Sequence, residues 1–280
     1  MTKQKVLILG GSGLLGCHLI DTLKNNYEIF WTFSDRNLVK KNGIYFKYPE
    51  QISNLYKIIL KIKPKIIINT VALVSVDKCQ HDVTLANTIN IKLVAQLINF
   101  LNKNLNLNIY FIHFSSGGIY GHAKSPCQKP WKEIDEPKPL STYASTKLES
   151  ENETLRYQGQ KLIIRSDFYG INKIKNTKTL LSWIIFNAKN NIKMDGWSNI
   201  YFSPISASAL SKVVLKAIKI NLNGIYNVGS IDSCNKYEFI KHTCTVLNYK
   251  TKINKVLDLN MLNSKIRPNY SILCTNKLRK

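Results

Sequence analysis

The segment Gly10-Gly11-Ser12-Gly13-Leu14-Leu15-Gly16 joins an apolar run over residues 6–9 to an amphipathic stretch over residues 13–24. It satisfies G-x-x-G-x-x-G from Gly10 and G-x-G-x-x-G from Gly11. A glycine series between a strand and a helix has a physical logic. It permits a tight turn, lets the backbone approach a pyrophosphate, and lets the helix lie close against the strand. The helix N-terminus then offers free N–H groups and a partial positive charge to an anion. Gly10, Ser12, Gly13, Leu14, Leu15 and Gly16 are therefore the candidate dinucleotide-binding residues. The plainer reading is a glycine-rich turn between two core elements, and its weight falls as further signals accumulate downstream.

Outward from that turn, strand patterns and helix patterns alternate. Strands are expected at 6–9, 28–33, 66–68, 109–114 and 162–165, and helices at 13–24, 52–62, 83–101 and 143–157. In the long segment 83–101, Leu85, Ile89, Leu93, Leu97 and Phe100 are expected on one side. Continuous apolar strands, rather than alternating ones, belong to a parallel sheet covered on both faces. The expected fold class is α/β: a Rossmann-type doubly wound parallel sheet with a smaller C-terminal α/β substrate lobe. Residues 1–165 would form the dinucleotide-binding domain, with 205–230 returning to it, and 166–280 mostly the substrate-binding lobe. Beyond Ser166 the rhythm weakens to helices at 180–188, 207–218 and 236–247 and a strand at 225–228.

The end of the second strand bears on cofactor choice. An acid there would hydrogen-bond a ribose 2′-hydroxyl and favour NAD. Phe33 stands where that acid would be, and Ser34 and Arg36 can bind a 2′-phosphate, so NADP(H) is favoured. Asp35 keeps NAD(H) open, since a shift of one residue restores an acidic partner.

Two signals concern chemistry. In Tyr143-Ala-Ser-Thr-Lys147 the phenol and the amine are four residues apart and share a helix face. A free phenol titrates near pH 10, and a fixed ammonium beside it would favour the phenolate and bring it towards working range. Ser115-Ser116-Gly117-Gly118 leaves the strand 109–114 at the sheet's carboxyl edge, where Ser116 can donate to a substrate carbonyl. Each pattern arises by chance as a polar helix face or a polar strand end; all three in this order on these elements do not.

Composition is that of a globular chain, with 44% hydrophobic and 20% charged residues. The formal net charge is +23. Lysines run from Lys3 to Lys280 without a dense block, so the excess reads as compositional bias and nucleic acid is not an expected partner. Cys17, Cys79, Cys127, Cys234, Cys244 and Cys274 form no C-x-x-C pair and no zinc-type spacing with the five histidines, so no metal is expected and the thiols read as free. No apolar stretch reaches the roughly 18 residues that span a bilayer. A cytoplasmic protein without a membrane partner is expected. His113, inside an apolar strand, reads as a core histidine.

With these residues in view, the chain resembles the extended short-chain dehydrogenase/reductases, nearest to their dTDP-4-dehydrorhamnose reductase-like branch. The resemblance is carried by Asn69-Thr70-Val71-Ala72, by Val76-Asp77-Lys78-Cys79, by Asn90 and by Pro139-Leu140-Ser141-Thr142-Tyr143. Arg165-Ser166-Asp167-Phe168-Tyr169-Gly170, Phe202-Ser203-Pro204-Ile205, Gly224-Ile225-Tyr226-Asn227-Val228 and Arg267-Pro268-Asn269-Tyr270-Ser271 continue it. It implies NAD(P)H-dependent reduction of a nucleoside-diphosphate 4-keto-6-deoxy sugar, used in making deoxysugar or polysaccharide precursors. Ser116, Tyr143 and Lys147 would be catalytic. Val71, Ala72, Leu73, Asn90, Tyr143 and Lys147 would join the cofactor site, and Ser116, Gly117, Phe168 and Arg267 the substrate site, with Arg267 on the diphosphate. The resemblance allows a homodimer. The chain departs from the branch where Ser116-Gly117-Gly118-Ile119-Tyr120 replaces Thr-Asp-Tyr-Val-Phe, where Leu73 and Val74 replace Tyr-Thr, and where Phe168 replaces Trp. These departures leave the sugar open. An epimerase or dehydratase of the same superfamily, or a non-catalytic regulatory homologue, is the alternative. A dehydratase wants an acid beside the serine, and Gly117 is not one.

Overall fold

The computed structural model describes residues 2–35, 42–123, 129–174, 178–257 and 267–279. β1 (Lys5–Leu9) leads through the glycine turn to α1 (Leu14–Leu23), β2 (Glu28–Phe33) and β3 (Gly43–Tyr45). α2 (Ile52–Ile62) precedes β4 (Ile66–Asn69). Then come α3 (Val76–His81), α4 (Val83–Asn87), a π-helical turn (Thr88–Lys92) and α5 (Leu93–Asn102) before β5 (Tyr110–Ser115). α6 (Thr142–Leu155) crosses to β6 (Lys161–Arg165), and β7 (Phe168–Tyr169) follows. The rest is α7 (Leu180–Lys189), β8 (Met194–Trp197), β9 (Tyr201–Phe202), β10 (Ile205–Ser206), α8 (Ala207–Lys219), β11 (Gly224–Asn227), β12 (Cys234–Asn235), α9 (Lys236–Val246), β13 (Ile253–Val256), β14 (Tyr270–Ser271) and a last helix, Asn276–Arg279.

Seven strands form one parallel sheet in the order β11-β6-β5-β4-β1-β2-β3. The order reverses between β1 and β4, and at such a switch point the crossovers leave in opposite directions and open a crevice at the strands' carboxyl ends. The side chains show why both faces are covered. Leu7, Leu9, Ile67 and Phe111 pack with Leu55, Ile59, Leu97 and Ile98 of α2 and α5. Their strand neighbours Val6, Ile8, Ile66, Ile68 and Ile112 point the other way, to Leu15 and Leu19 of α1 and Leu210 and Val214 of α8. Alternate residues serve two apolar layers, so the strand centres read as continuous apolar runs. Each such Leu or Ile contributes about 1.5–3 kcal/mol relative to an exposed one. This is the expected Rossmann-type sheet, with β11 closing the edge beside β6.

The glycine turn is built as the chemistry requires. Gly10 has φ +80°, and a Cβ there would lie 2.8 Å from Thr70 Oγ1. A Cβ on Gly16 would lie 2.3 Å from the Gly10 carbonyl oxygen, so α1 can press on the turn only through a glycine.

The expected single helix over 83–101 is divided by the π-helical turn. The extra residue in the turn rotates the apolar face. Leu85 is exposed, while Leu93, Leu97, Val94 and Ile98 are buried. Asn90, in the middle of the turn, is buried, and its side chain finds its partners there.

The C-terminal elements form a smaller layer. Ile184 of α7, Met194 of β8, Phe202 of β9 and Phe239, Ile240 and Cys244 of α9 make its core. β13 pairs with β8, and β9 lies between β12 and β14. Among the described residues Cys17, Cys79, Cys234, Cys244 and Cys274 are free thiols; Cys127 lies outside them. No helix of the described residues is long and apolar enough to cross a membrane, and none of their His, Cys, Asp and Glu side chains cluster as metal ligands.

Candidate active site

A cleft of about 1100 Å³ opens along the carboxyl ends of the strands. At one end its wall holds Gly10, Ser12, Gly13, Leu14 and Leu15, with Thr32, Phe33 and Ser34 from the end of β2. Gly13 begins α1 in extended backbone without a side-chain cap, so the helix presents its first N–H groups to the cleft unpaired by a side chain. Phe46 N–H donates to the Phe33 carbonyl at 2.8 Å, which brings the neighbouring Lys47 into the wall beside β2. Arg36 lies outside the described residues.

In the middle, Val71, Ala72 and Leu73 follow β4 along the wall. Asn90 stands behind them. Its Oδ1 accepts the Leu73 N–H at 2.7 Å, and its amide donates to Leu73 O at 3.2 Å and Thr146 Oγ1 at 2.8 Å. Gly16, Asn90, Gly117 and Lys147 are not in the cleft wall. At the ends of β5 and β6, Ser115 and Ser166 are in it, buried, and their hydroxyls have no hydrogen-bond partner among the described residues. A buried hydroxyl without a partner costs free energy, and a bound polar group would recover it.

Tyr143 and Ser116 meet in this wall. Ser141 caps α6, its hydroxyl accepting the Ala144 N–H at 3.1 Å, so the helix begins one residue before the phenol. Burial pushes the Tyr143 phenol above its ordinary range and the Asp167 carboxylate adds to the shift, while the Ser116 hydroxyl opposes it. The protein alone therefore holds the phenol protonated, and the depression expected from Lys147 is not among the influences on it. Lys147 is 3% exposed. Burial brings its ammonium down to about 8, against the opposing pull of Glu151.

The helix that carries this pair is locked to the sheet by polar contacts. Asn69 Oδ1 accepts the Val71 N–H, so its amide nitrogen faces His113 Nδ1 at 3.2 Å. His113 Nε2 then donates to Ser150 Oγ at 2.9 Å, and Ser150 donates to the Lys147 carbonyl at 2.7 Å. Burial first, and Lys147 second, keep the imidazole neutral.

Beyond Ser116 lie Asp167, Phe168, Trp197, Phe202, Lys236 and Arg267. Ser116 Oγ donates to Asp167 Oδ1 at 3.1 Å, and Gly117 N–H reaches the same oxygen at 3.2 Å. Lys236 Nζ sits 3.3 Å from the centre of the Phe202 ring. Burial lowers it to about 8, partly offset by attraction to Asp167. Arg267 lies over Trp197 and donates to both Asp77 oxygens at 2.9 Å.

A family model described as "RmlD substrate binding domain" matches residues 4–280. The chain belongs to the RmlD substrate-binding-domain family. It is similar to the dTDP-4-dehydrorhamnose reductase of Escherichia coli K12, 26% identical over 226 residues, which is 78% of this chain and 70% of that protein. It is also similar to the spore coat polysaccharide biosynthesis protein SpsK of Bacillus subtilis, at 24% over 272 residues, 96% of this chain and 88% of that one. The matches to the curated reductases span between 55% and 70% of their length. The fold matches the crystal structure of dTDP-4-dehydrorhamnose reductase from Bacillus anthracis in complex with NADP, with a TM-score of 0.84 and 24% identity, over 100% of this chain and 92% of that one.

Against this RmlD family background, the cleft contains residues that the sequence patterns do not mark. Asp167 and Lys236 face it, and so does Lys47. The acid that Gly117 does not supply comes from the neighbouring strand's end, as Asp167. No local motif announces it, because β5 and β6 bring residues 116 and 167 together only in the sheet. Asp167 does stand between Arg165 and Phe168 in a segment already matched to the family, which is the one signal available.

Proposed function

We propose that this chain is an oxidoreductase that uses NADPH, or in second place NADH, to reduce a 4-keto-6-deoxy sugar carried on a nucleoside diphosphate. The observation that carries this reading is the meeting of Tyr143 and Ser116, in one cleft, with an uncapped helix N-terminus behind a glycine turn. The names of its relatives support thymidine diphosphate as the carrier.

The residues present suit a dinucleotide. Gly10, Ser12, Gly13, Leu14 and Leu15 would hold its pyrophosphate, with Gly16 keeping α1 in place. Phe33 and Ser34 close the end of β2 without an acid in the cleft wall, and Lys47 adds a cation there, which favours a 2′-phosphate. Arg36 is proposed beside them. Val71, Ala72 and Leu73 would line its middle, supported by Asn90. The unpaired hydroxyls of Ser115 and Ser166 suit the polar groups of its ring end. When bound, the reduced nicotinamide supplies the hydride.

Tyr143 donates its proton to the carbonyl oxygen as that oxygen gains charge; a protonated phenol is the form this step needs. Lys147, brought down to about 8, is still largely an ammonium at neutral pH and holds its proton more firmly once a negative charge arrives, and so stabilises the phenolate left behind. Ser116 orients the carbonyl. Gly117 spends its N–H on Asp167, which fixes the loop under the substrate. Phe168 offers an apolar face to the sugar, and Arg267, held on Trp197 and Asp77, offers its remaining donors to the diphosphate.

The position of Asp167 beside Ser116 favours a second reading, a dehydratase. One assay separates them. NADPH and then NADH are mixed with a thymidine-diphosphate 4-keto-6-deoxyhexose, and reduced cofactor is followed by its absorbance. A reductase consumes NADPH in proportion to product. A chain that converts nucleotide sugars with no net loss of reduced cofactor would overturn the reductase reading.

A further inference from the structure

We infer that Asp167 is a specificity-determining residue that reads the hydroxyl on the carbon next to the carbonyl being reduced. This rests on the reductase reading above and adds the substrate feature that the site selects.

A serine hydroxyl has one proton to give. In this site Ser116 Oγ donates that proton to Asp167 Oδ1 at 3.1 Å, with the Tyr143 phenol beside it as the competing partner, and accepts the Gly118 N–H, also at 3.1 Å. The hydroxyl that would orient a carbonyl is therefore turned away from it, towards a carboxylate. Oδ1 has two donors, Ser116 and the Gly117 N–H. Oδ2 has no hydrogen-bond partner among the described residues. It lies 2.8 Å from where a Cβ on Gly117 would be, so a side chain at 117 would displace the carboxylate. Glycine at this position leaves the acid its place in the wall.

A carboxylate only accepts hydrogen bonds. Substrate entering the cleft strips water from Asp167, and a donor must replace that water or the acid is left unpaired. A hydroxyl beside the carbonyl supplies the donor. Paired at the unpartnered Oδ2, it draws charge from the carboxylate and weakens the Ser116 contact at Oδ1, so that the Ser116 proton can turn to the adjacent carbonyl oxygen. A ketone without that hydroxyl leaves Asp167 short of a partner and keeps Ser116 committed to it. The neighbouring cations decide between two kinds of donor. Lys236 attracts Asp167, and Arg267 shares the same wall, so a neutral hydroxyl is accepted over an ammonium, which both would repel.

The test compares kcat/KM with NADPH for a thymidine-diphosphate 4-keto-6-deoxyhexose and for its analogue lacking the hydroxyl next to the carbonyl. Wild type should favour the hydroxylated sugar by about 10- to 100-fold, the range of one hydrogen bond to a charged group. In Asp167→Ala the ratio should fall to within about threefold, and in Asp167→Asn, which keeps one acceptor oxygen, to an intermediate value. NADPH affinity and circular dichroism report whether each variant is folded, and Asp167→Asn carries the test if Asp167→Ala is not. Wild type reducing both sugars equally, or a folded variant keeping the wild-type ratio, would overturn the role of Asp167 and leave the reductase reading standing. Wild type reducing neither sugar would overturn both.

Discussion

Asn90 in the π-helical turn donates to Thr146 Oγ1 in the middle of α6 at 2.8 Å. The same side chain accepts the Leu73 N–H at 2.7 Å. One amide thus joins the wall after β4 to the helix that carries Tyr143 and Lys147. Asn90→Ala leaves a backbone N–H without this acceptor and Thr146 without this donor. We expect a loss of about 1–3 kcal/mol in urea unfolding, together with weaker NADPH binding in a fluorescence titration, because Leu73 is no longer fixed. Unchanged affinity in a destabilised variant would mean that Asn90 serves stability alone.

The ion pair of Arg165 and Glu151 is 4% and 1% exposed, with 2.7 Å between Nη2 and Oε2, and Arg165 also donates to Tyr120 at 2.7 Å. It ties the end of β6 to α6. Removing one partner strands a buried charge, so Glu151→Ala should cost about 3–5 kcal/mol in chemical denaturation. Arg156, largely exposed in its pair with Glu153, is the contrast: Arg156→Ala should change stability by about 1 kcal/mol or less.

Lys147 and Lys236 each fall to about 8 in the folded chain from an ordinary value of 10.5. Between those values the unfolded chain binds more protons than the folded one, so stability of the ligand-free protein rises with pH across that interval. Tyr110 and Tyr143 are raised by burial, and their effect is opposite: stability is lost as pH climbs through the ordinary range of unfolded tyrosine, around 10. Denaturation midpoints should therefore increase from about pH 8 and turn over near about pH 10. Lys147→Met should flatten part of the rise. A rise of wild-type size in that variant would show that Lys147 does not carry it.

Much of this architecture is legible along the chain, and the exceptions have physical causes. The strand 28–33 and the helix 52–62 are read to the residue, because apolar periodicity and flanking breakers agree there. The helix over 83–101 is not, since a π-helical turn keeps helical composition while shifting the apolar face. β9, β12 and β14 are two residues each, too short to show a period. In the site, the glycine turn, Ser116 and Tyr143 announce themselves through local spacing. Asp167 and Lys236 do not, because their function comes from strands and helices that meet only after folding. The phenol's state is also beyond the sequence, since the burial that raises it depends on the whole packed helix.

Gly16 tests whether the glycine turn is a packing device as well as a cradle. Its Cβ would lie 2.3 Å from Gly10 O and 2.6 Å from Gly11 Cα, both backbone atoms. Gly16→Ala should push α1 off the turn, lowering the thermal midpoint and weakening NADPH binding by about tenfold or more. A variant with wild-type affinity would show that the turn tolerates the displacement.

The most direct test is Tyr143→Phe, assayed with NADPH and a thymidine-diphosphate 4-keto-6-deoxyhexose. The phenyl ring keeps the packing of α6 and removes only the hydroxyl. NADPH affinity should stay within about threefold of wild type while kcat falls by about 10²- to 10⁴-fold, the usual contribution of a positioned acid. A variant that binds NADPH normally and still reduces the sugar at nearly the wild-type rate would contradict the assignment of Tyr143 as the proton donor.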